Sequence, residues 1–422
     1  MVVRRHTKTE LNFWVMPNAG FATRPILQSF VDEFEAARPD VKVRLMVHPW
    51  SLAWNRVMEV VKGRNVKAPP DVLQVGTTWV TTLGYLGALE RVPATPGLED
   101  AAGVTLGDAS PQCVPWFIDI RVLFYRKDIF SSLGIDPRWL EDWKGFNRVC
   151  AEIQKGILKG GKLSKIVAPL AIPGQRPGVL MHDLAPWVWE AGGDFYAEET
   201  AEAPLSQPAF LNGCAFYFDL VSNGYMPIPN SALPFGNFFT GTYAMQLTGS
   251  WPLETYLNPA SPMAVPEVAQ NFAVAPLPAG PHGRYTFLGG SNLGVASASR
   301  NKELAWDFIR FLNEPARQIR HARAIGALPA RLEGLEELFK QYPEAHHVFL
   351  NSFGHARRLP RVIELGSIEQ IIYKMGARVL SSVREGAYNH KRLQQEIASA
   401  NNEVRALLSI HRYGTRPSGR AA

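Results

Sequence analysis

Three strand patterns separated by two amphipathic helical patterns open this chain of 422 residues, and that alternation restricts its topology more than any other feature. Leu11, Phe13 and Val15 fall on alternate positions, the period of a strand. From Thr23 the period changes: Ile26, Phe30 and Phe34 recur every four residues, with Leu27 and Val31 beside them, until Arg38-Pro39-Asp40 ends the helix. Val41, Val43, Leu45 and Val47 alternate again, and a second helix opens at Ser51 and runs through Val57, Val60 and Val61 to Gly63. Val72-Leu73-Gln74-Val75 is short and nearly all apolar, as suits a strand buried on both faces of a parallel sheet. Strand, helix, strand, helix, strand predicts an α/β fold with a parallel sheet and right-handed crossovers. Open sheets of this kind place ligands just beyond their strand ends.

A second informative stretch is Phe238 to Leu253, FFTGTYAMQLTGSWPL. Tyr243, Met245 and Leu247 alternate as a strand, which stops at Gly249-Ser250-Trp251-Pro252. Glycine permits a tight turn there and proline cannot continue the ladder, so Trp251 is delivered at a strand end. The pattern resembles the "GxxAM…GxW" signature of the extracellular solute-binding proteins of ATP-binding-cassette importers, in the sugar-binding group that includes the maltose-binding proteins. Further matches follow in order: PLPAG from Pro276, Gly289-Gly290 before a strand through Leu293 and Val295, NKELAWDFIRFL from Asn301, and GALPA from Gly326. Leu304, Phe308, Phe311 and Leu312 of that helical segment share a face by spacing alone. The resemblance covers roughly residues 10 to 410. It implies a two-lobed, type II periplasmic-binding-protein-like fold with a ligand cleft between the lobes. Residues 10–120 with 290–340 would form lobe one, 121–289 with 341–410 lobe two, and 411–422 a polar tail without structure. The chain would cross between lobes near Asp119–Arg121, within an aromatic strand from Cys113 to Asp128, and again near Phe287–Asn292.

Eleven tryptophans are many for this length. Trp14, Trp50, Trp79, Trp116, Trp187 and Trp251 lie near expected strand ends or in the loops after them, and the others lie on or beside helices. An aromatic face stacks on the C–H face of a sugar ring while polar side chains bind the hydroxyls. Core packing competes with that role at each tryptophan; Trp251 is set apart by its motif. The polar candidates stand at the same strand ends. Asn18 follows the first strand, Ser51 the second, and Thr77 and Thr78 the third. Asp119 and Arg121 flank the first crossing; Gly249 precedes Trp251; Gly290, Ser291 and Asn292 mark the second crossing; Arg323 precedes the GALPA element. Hydroxyls and amides beside Asp and Arg supply both donors and acceptors to a polyol. Each also has a structural role open to it: Ser51 as a helix cap, Asp119 and Arg121 as a solvated hinge.

Composition narrows the alternatives. The formal net charge is +6, but the residues from Asn351 onward hold 12 Lys and Arg against 5 Asp and Glu, so the other 350 residues sum to −1. That basic end reads as a solvated helix face, without the interleaved aromatics of a nucleic-acid binder. Cys113, Cys150 and Cys214 include no CxxC pair and favour buried free thiols, one disulfide staying open. No apolar run approaches the roughly 18 residues of a membrane span. MVVRRHTKTELNFWV lacks the apolar core of a secretory signal, which leaves a processed envelope protein and an intracellular one as alternatives. No nucleotide-binding glycine motif or nucleophile elbow occurs, and the adjacent His346 and His347 diverge on a helix and cannot share a metal. The expected protein is therefore no enzyme and takes neither cofactor nor metal. It is a monomeric, periplasmic or extracellular carrier that binds a mono- or oligosaccharide and passes it to membrane permease subunits. Rival readings are an anionic solute such as glycerol phosphate, with Arg121 and Arg323 as its partners, an intracellular sugar sensor, and a glycosidase or transferase.

Overall fold

The computed structural model describes residues 8–18, 23–94, 112–171, 177–197, 204–228, 238–331, 340 and 343–414. Its strands are β1 (Thr9–Val15), β2 (Val41–Val47), β3 (Val72–Gly76), β4 (Val114–Ile120), β5 (Val122–Arg126), β6 (Ala168–Leu170), β7 (Tyr243–Thr248), β8 (Phe272–Ala275), β9 (Thr286–Val295), β10 (Leu328–Pro329) and β11 (Ala356–Arg357). The chain divides into two compact units, each assembled from three segments. Unit 1 is Met1–Asp119, Gly249–Ser261 and Gly289–His346; unit 2 is Ile120–Thr248, Pro262–Leu288 and His347–Ala422.

In unit 1 the strands follow the order β2-β1-β3-β9-β4-β10. β1 pairs in parallel with both β2 and β3, as the opening alternation predicts. β9 then joins antiparallel to β3, from Val72 against Val295 to Gly76 against Ser291. The helix Thr23–Ala37 buries Leu27, Phe30, Val31 and Phe34, the stripe its four-residue period marks. Phe308, on the helix Lys302–Leu312, meets Phe13 edge-on at 5.2 Å and Phe34 at 4.9 Å. Local pattern and long-range packing thus select the same face.

Two sequence expectations are corrected. The aromatic stretch Cys113–Asp128 is not one strand: it breaks at Arg121, with β4 in the first sheet and β5 in the second. The segment Gly249–Ser261 packs with unit 1, not with the residues assigned above to lobe two. The reason is close backbone approach. Ser250 Oγ donates to the Gly326 carbonyl at 2.7 Å, and a Cβ at Gly326, where φ is +66°, would lie 2.3 Å from the Trp251 carbonyl oxygen. At the C-terminus, residues 411–414 of the expected tail belong to the helix His390–Gly414, and 415–422 lie outside the described residues.

Unit 2 has a four-stranded sheet in the order β6-β7-β5-β8, with β5 antiparallel to both neighbours and β6 parallel to β7. Helices Pro177–Glu190, Pro208–Ser222 and Leu365–Arg384 supply much of its core, which includes Trp187, Phe210, Phe218 and Ile372. Small residues set the helix spacing. A Cβ at Gly213 would come 2.5 Å from Val188 Cα and 2.6 Å from the Trp187 carbonyl oxygen. The three cysteines are buried free thiols whose pKa values burial pushes up.

Two predictions follow from this packing. In a solvent-exposed helix interior, Gly→Ala stabilises by about 0.5–1 kcal/mol. At Gly213 the added methyl overpacks the helix pair, so Gly213→Ala is expected to destabilise by about 1–3 kcal/mol in urea unfolding. The second concerns His321, 1% exposed and stacked on Trp116 at 4.1 Å with ring planes 10° apart. Burial holds its pKa at about 3, below the ordinary 6.5. The neutral ring is therefore the folded form; its contribution is complete above pH 6.5 and is lost as pH falls from there towards 3. By pH 4.5 the loss reaches about 2.7 kcal/mol. His321→Phe, which keeps the stack, should flatten that part of the stability-against-pH curve.

Candidate functional site

One edge of the unit 1 sheet gathers most of the polar strand-end residues. Its organiser is Gln74, a side chain 1% exposed in the otherwise apolar β3. The Gln74 amide donates to Ser291 Oγ at 2.8 Å and its oxygen accepts from the Met16 N–H at 3.0 Å. It also exchanges longer contacts with the Asn18 side chain, at 3.4 and 3.5 Å. Asn18 is fixed in turn by Thr23, whose Oγ1 accepts from its N–H and donates to its carbonyl. Asn292 donates to the Val75 carbonyl at 3.4 Å and reaches Thr77 Oγ1 at 3.5 Å. Asn18, Thr77, Ser291 and Asn292 are thereby brought together, and Thr78 continues the same short 3-10 turn, Thr77–Trp79.

Beside them lies an aromatic group. Trp50 donates its indole N–H to the Pro17 carbonyl at 2.9 Å, and its ring stands 5.8 Å from that of Trp79 at 67°. Trp54 adds a third ring, 5.3 Å from Trp79. All three are half-buried. Gly76 lies beneath: a Cβ there would touch both Trp50 and Trp79 at about 3.8 and 3.7 Å. Ser51 follows Trp50 in the helix Trp50–Val61, and its side chain lies outside the described residues.

The Trp251 turn completes this edge. A Cβ at Gly290 would fall 2.3 Å from the Phe117 carbonyl on β4, and one at Gly249 only 1.9 Å from Asp119 Oδ1. Gly290, at φ +138°, has no room for a side chain against that backbone, whereas one at Gly249 would have to displace the Asp119 carboxylate, so Asp119 and the turn lie in direct contact. Trp251 is half-buried, edge-on to Tyr256 at 5.9 Å, and opens the short helix Pro252–Thr255. Glu254 is half-buried in that helix; burial raises its pKa, against the opposing influence of Asn258 and the nearby charge of exposed Arg323.

Three tryptophan candidates are core residues instead. Trp14 is 3% exposed, donates to the Ala68 carbonyl at 3.2 Å and packs on His48. Trp116 is 1% exposed beneath His321. Trp187 is buried in unit 2 and shows only a wall to a pocket there. Their strand and helix positions point them inward, which spacing near a strand end does not reveal. Arg121 lies in unit 2: its guanidinium is 3.8 Å from Asp183 and 6.0 Å from the Phe287 ring, and its carbonyl accepts from Thr286 Oγ1 at 2.7 Å. The sequence analysis missed Gln74, Trp54, Tyr256 and Asp183. A glutamine inside the VLQVG run was the available signal for the first, because a buried amide must be satisfied.

Comparison with known proteins places this arrangement. The sequence profile described as bacterial extracellular solute-binding protein matches residues 29–346. The diacetylchitobiose binding protein DasA of Streptomyces coelicolor is 24% identical over 349 residues, covering 78% of this chain and 75% of its own. The GacH receptor of Streptomyces glaucescens, solved unliganded and with acarbose, superposes with a TM-score of 0.77 at 23% identity, over 95% of this chain and 99% of that one. Maltose-bound MalE3 of T. maritima gives 0.76 at 21% identity, over 94% and 100%. The chain belongs to the bacterial extracellular solute-binding proteins, and its mixed α/β fold, with two sheets, is that of the maltose-binding-like members. Among the described residues, no group of three or more His, Cys, Asp or Glu is placed to hold a metal ion, and no helix is long and apolar enough to cross a membrane.

Gln74→Leu would strand the Met16 N–H and the Ser291 hydroxyl in a buried setting. We expect a loss of about 1–3 kcal/mol of unfolding free energy, read by chemical denaturation.

Proposed function

We propose that this protein binds a carbohydrate and hands it, chemically unchanged, to the permease subunits of an ATP-binding-cassette importer. The observation that carries the reading is the edge of the unit 1 sheet. There the half-buried indoles of Trp50, Trp79 and Trp251 accompany the side chains of Asn18, Thr77, Asn292 and Asp119. Flat apolar faces beside paired donors and acceptors match a sugar ring, whose C–H faces are apolar and whose rim is polar. The ligands named for the relatives, diacetylchitobiose, acarbose and maltose, belong to this class. Membership of an extracellular family supports a periplasmic or extracellular location, and we infer a monomer that needs no cofactor or metal. An anionic solute is less well served: Arg121 stands by Asp183, and Arg323 by Glu254, so each cationic charge faces a carboxylate.

A thermal-shift screen over mono- and oligosaccharides, polyols and sugar phosphates tests the class. A ligand at one hundred times its dissociation constant should add about 2.7 kcal/mol of stability. A response to sugar phosphates alone, or a product detected after incubation with the bound glycan, would overturn the reading. Trp251→Ala is expected to weaken sugar binding by about 1–3 kcal/mol. The ligand-free variant should lose far less stability than the ~3–5 kcal/mol of an emptied core site. Titration calorimetry and denaturation check the two halves. Unchanged affinity with a large stability loss would make Trp251 a core residue.

A further inference from the structure

Part of the basic excess of the C-terminal residues meets in unit 2, where the helix Leu365–Arg384 ends and the helix His390–Gly414 begins. An open cavity of about 580 Å³ lies between these helix ends. Arg378, Lys391 and Arg392 line it against a single carboxylate, Glu385, which accepts from Ser381 Oγ at 2.9 Å. Ser382, Asn389, Gln395 and Ala387 complete its walls. The turn between the helices is pinned to the helix Pro208–Ser222: Asp219 accepts from the Tyr388 hydroxyl at 2.8 Å and stands 3.1 Å from His390 Nε2. Asn389 caps the second helix, its Oδ1 accepting from the Arg392 N–H at 2.9 Å.

Behind the cavity Glu396, 7% exposed, orients two of the three cations. One of its oxygens accepts from Arg378 Nε, and the other pairs with Arg392 Nη2 at 3.0 Å. Arg378 Nη2 is 3.9 Å from Glu403 Oε1 and makes no hydrogen bond. A guanidinium carries five N–H donors, so each arginine keeps donors beyond those its carboxylate occupies. Among the described residues, Lys391 Nζ and the Gln395 amide have no hydrogen-bond or ion-pair partner. The helix adds to the imbalance. His390, Lys391 and Arg392 fill its first turn and no acidic residue stands there, so three basic residues meet the positive end of the helix dipole and an anion is wanting. Two guanidiniums fixed on one buried carboxylate, with an ammonium beside them, suit an oxyanion with three oxygens to share. A ligand carboxylate has two, which a single guanidinium can satisfy.

We propose that this cavity binds a phosphate group, carried by a small soluble ester or by the headgroup of an anionic phospholipid. The site lies wholly within unit 2 and is independent of the carbohydrate reading, which its own screen decides. The test follows the amide resonances of Lys391 and Arg392 in the full chain during titration with inorganic phosphate, against sodium chloride at equal ionic strength. Saturable shifts that chloride does not reproduce are expected. Lys391→Glu places an acid where the helix dipole favours one, so the fold is kept while the cavity loses a cation and gains an anion. Its phosphate dissociation constant should rise at least about tenfold, as for the loss of one charge-assisted hydrogen bond. Arg64→Glu makes the same change of net charge on an exposed turn of unit 1 and should leave the affinity unaltered. Co-sedimentation with phosphatidylcholine vesicles, with and without phosphatidylglycerol, separates the two sources. A gain with phosphatidylglycerol that Lys391→Glu removes assigns the lipid; phosphate binding without that gain assigns a soluble ester. Equal shifts in chloride and phosphate, a response that survives Lys391→Glu, or equal weakening by Lys391→Glu and Arg64→Glu would overturn the proposal, as would a lack of both phosphate binding and vesicle association.

Discussion

The buried amide of Gln74 ties together three stretches of chain that sequence holds far apart. It bonds to the Met16 N–H after β1 and to Ser291 on β9 from its own place on β3. A polar side chain in that position is costly unless each of its groups finds a partner, and the partners it finds are the loop that carries Asn18 and the part of β9 that carries Ser291 beside Asn292. The polar candidates along that edge therefore owe their placement to one interior hydrogen-bond centre. The Trp251 turn owes its placement to glycines. Trp50 and Trp79 lie over Gly76, while Gly249 and Gly326 let the Trp251 turn lie against Asp119 and the end of the helix Pro315–Ile325.

Much of the fold was legible because its signals are local. The change from a two-residue to a four-residue period marked β1, the helix after it and β2, and the short apolar run marked β3. What pattern alone could not supply was partnership. The antiparallel pairing of β9 with β3 joins residues more than two hundred positions apart. The break at Arg121 divides a stretch whose side chains are buried on both sides of it. The assignment of Gly249–Ser261 depends on backbone packing at Gly326, which leaves no periodic trace.

Site residues were harder to read than elements, for a physical reason. Tryptophan serves equally as core filler and as an exposed platform, and the difference is which way its Cβ points. Trp14 and Trp50 both stand near strand ends, yet Trp14 turns into a layer with Leu73 and Val75 while Trp50 remains half open beside Trp79. The motif around Trp251 carried more information because it specified backbone as well as side chain. Asp183 carried no sequence signal at all: only the fold brings it to Arg121.

The segmental make-up of the two units bears on how the molecule is made. Neither unit is a continuous stretch of chain: boundaries fall after Asp119, Thr248, Ser261, Leu288 and His346. During synthesis, β3 emerges long before its neighbour β9, and its free edge must wait unpaired until most of the chain has left the ribosome. Unit 1 has all its residues only at His346, and unit 2 only with the closing helices. Folding is thus gated by late segments and by long-range closure, the condition under which chains fold slowly and exposed strands risk association. A cut after Thr248, Ser261 or Leu288 would leave both units incomplete in either fragment, whereas one after Asp119 would strip unit 1 alone and one after His346 would strip unit 2 of its closing helices.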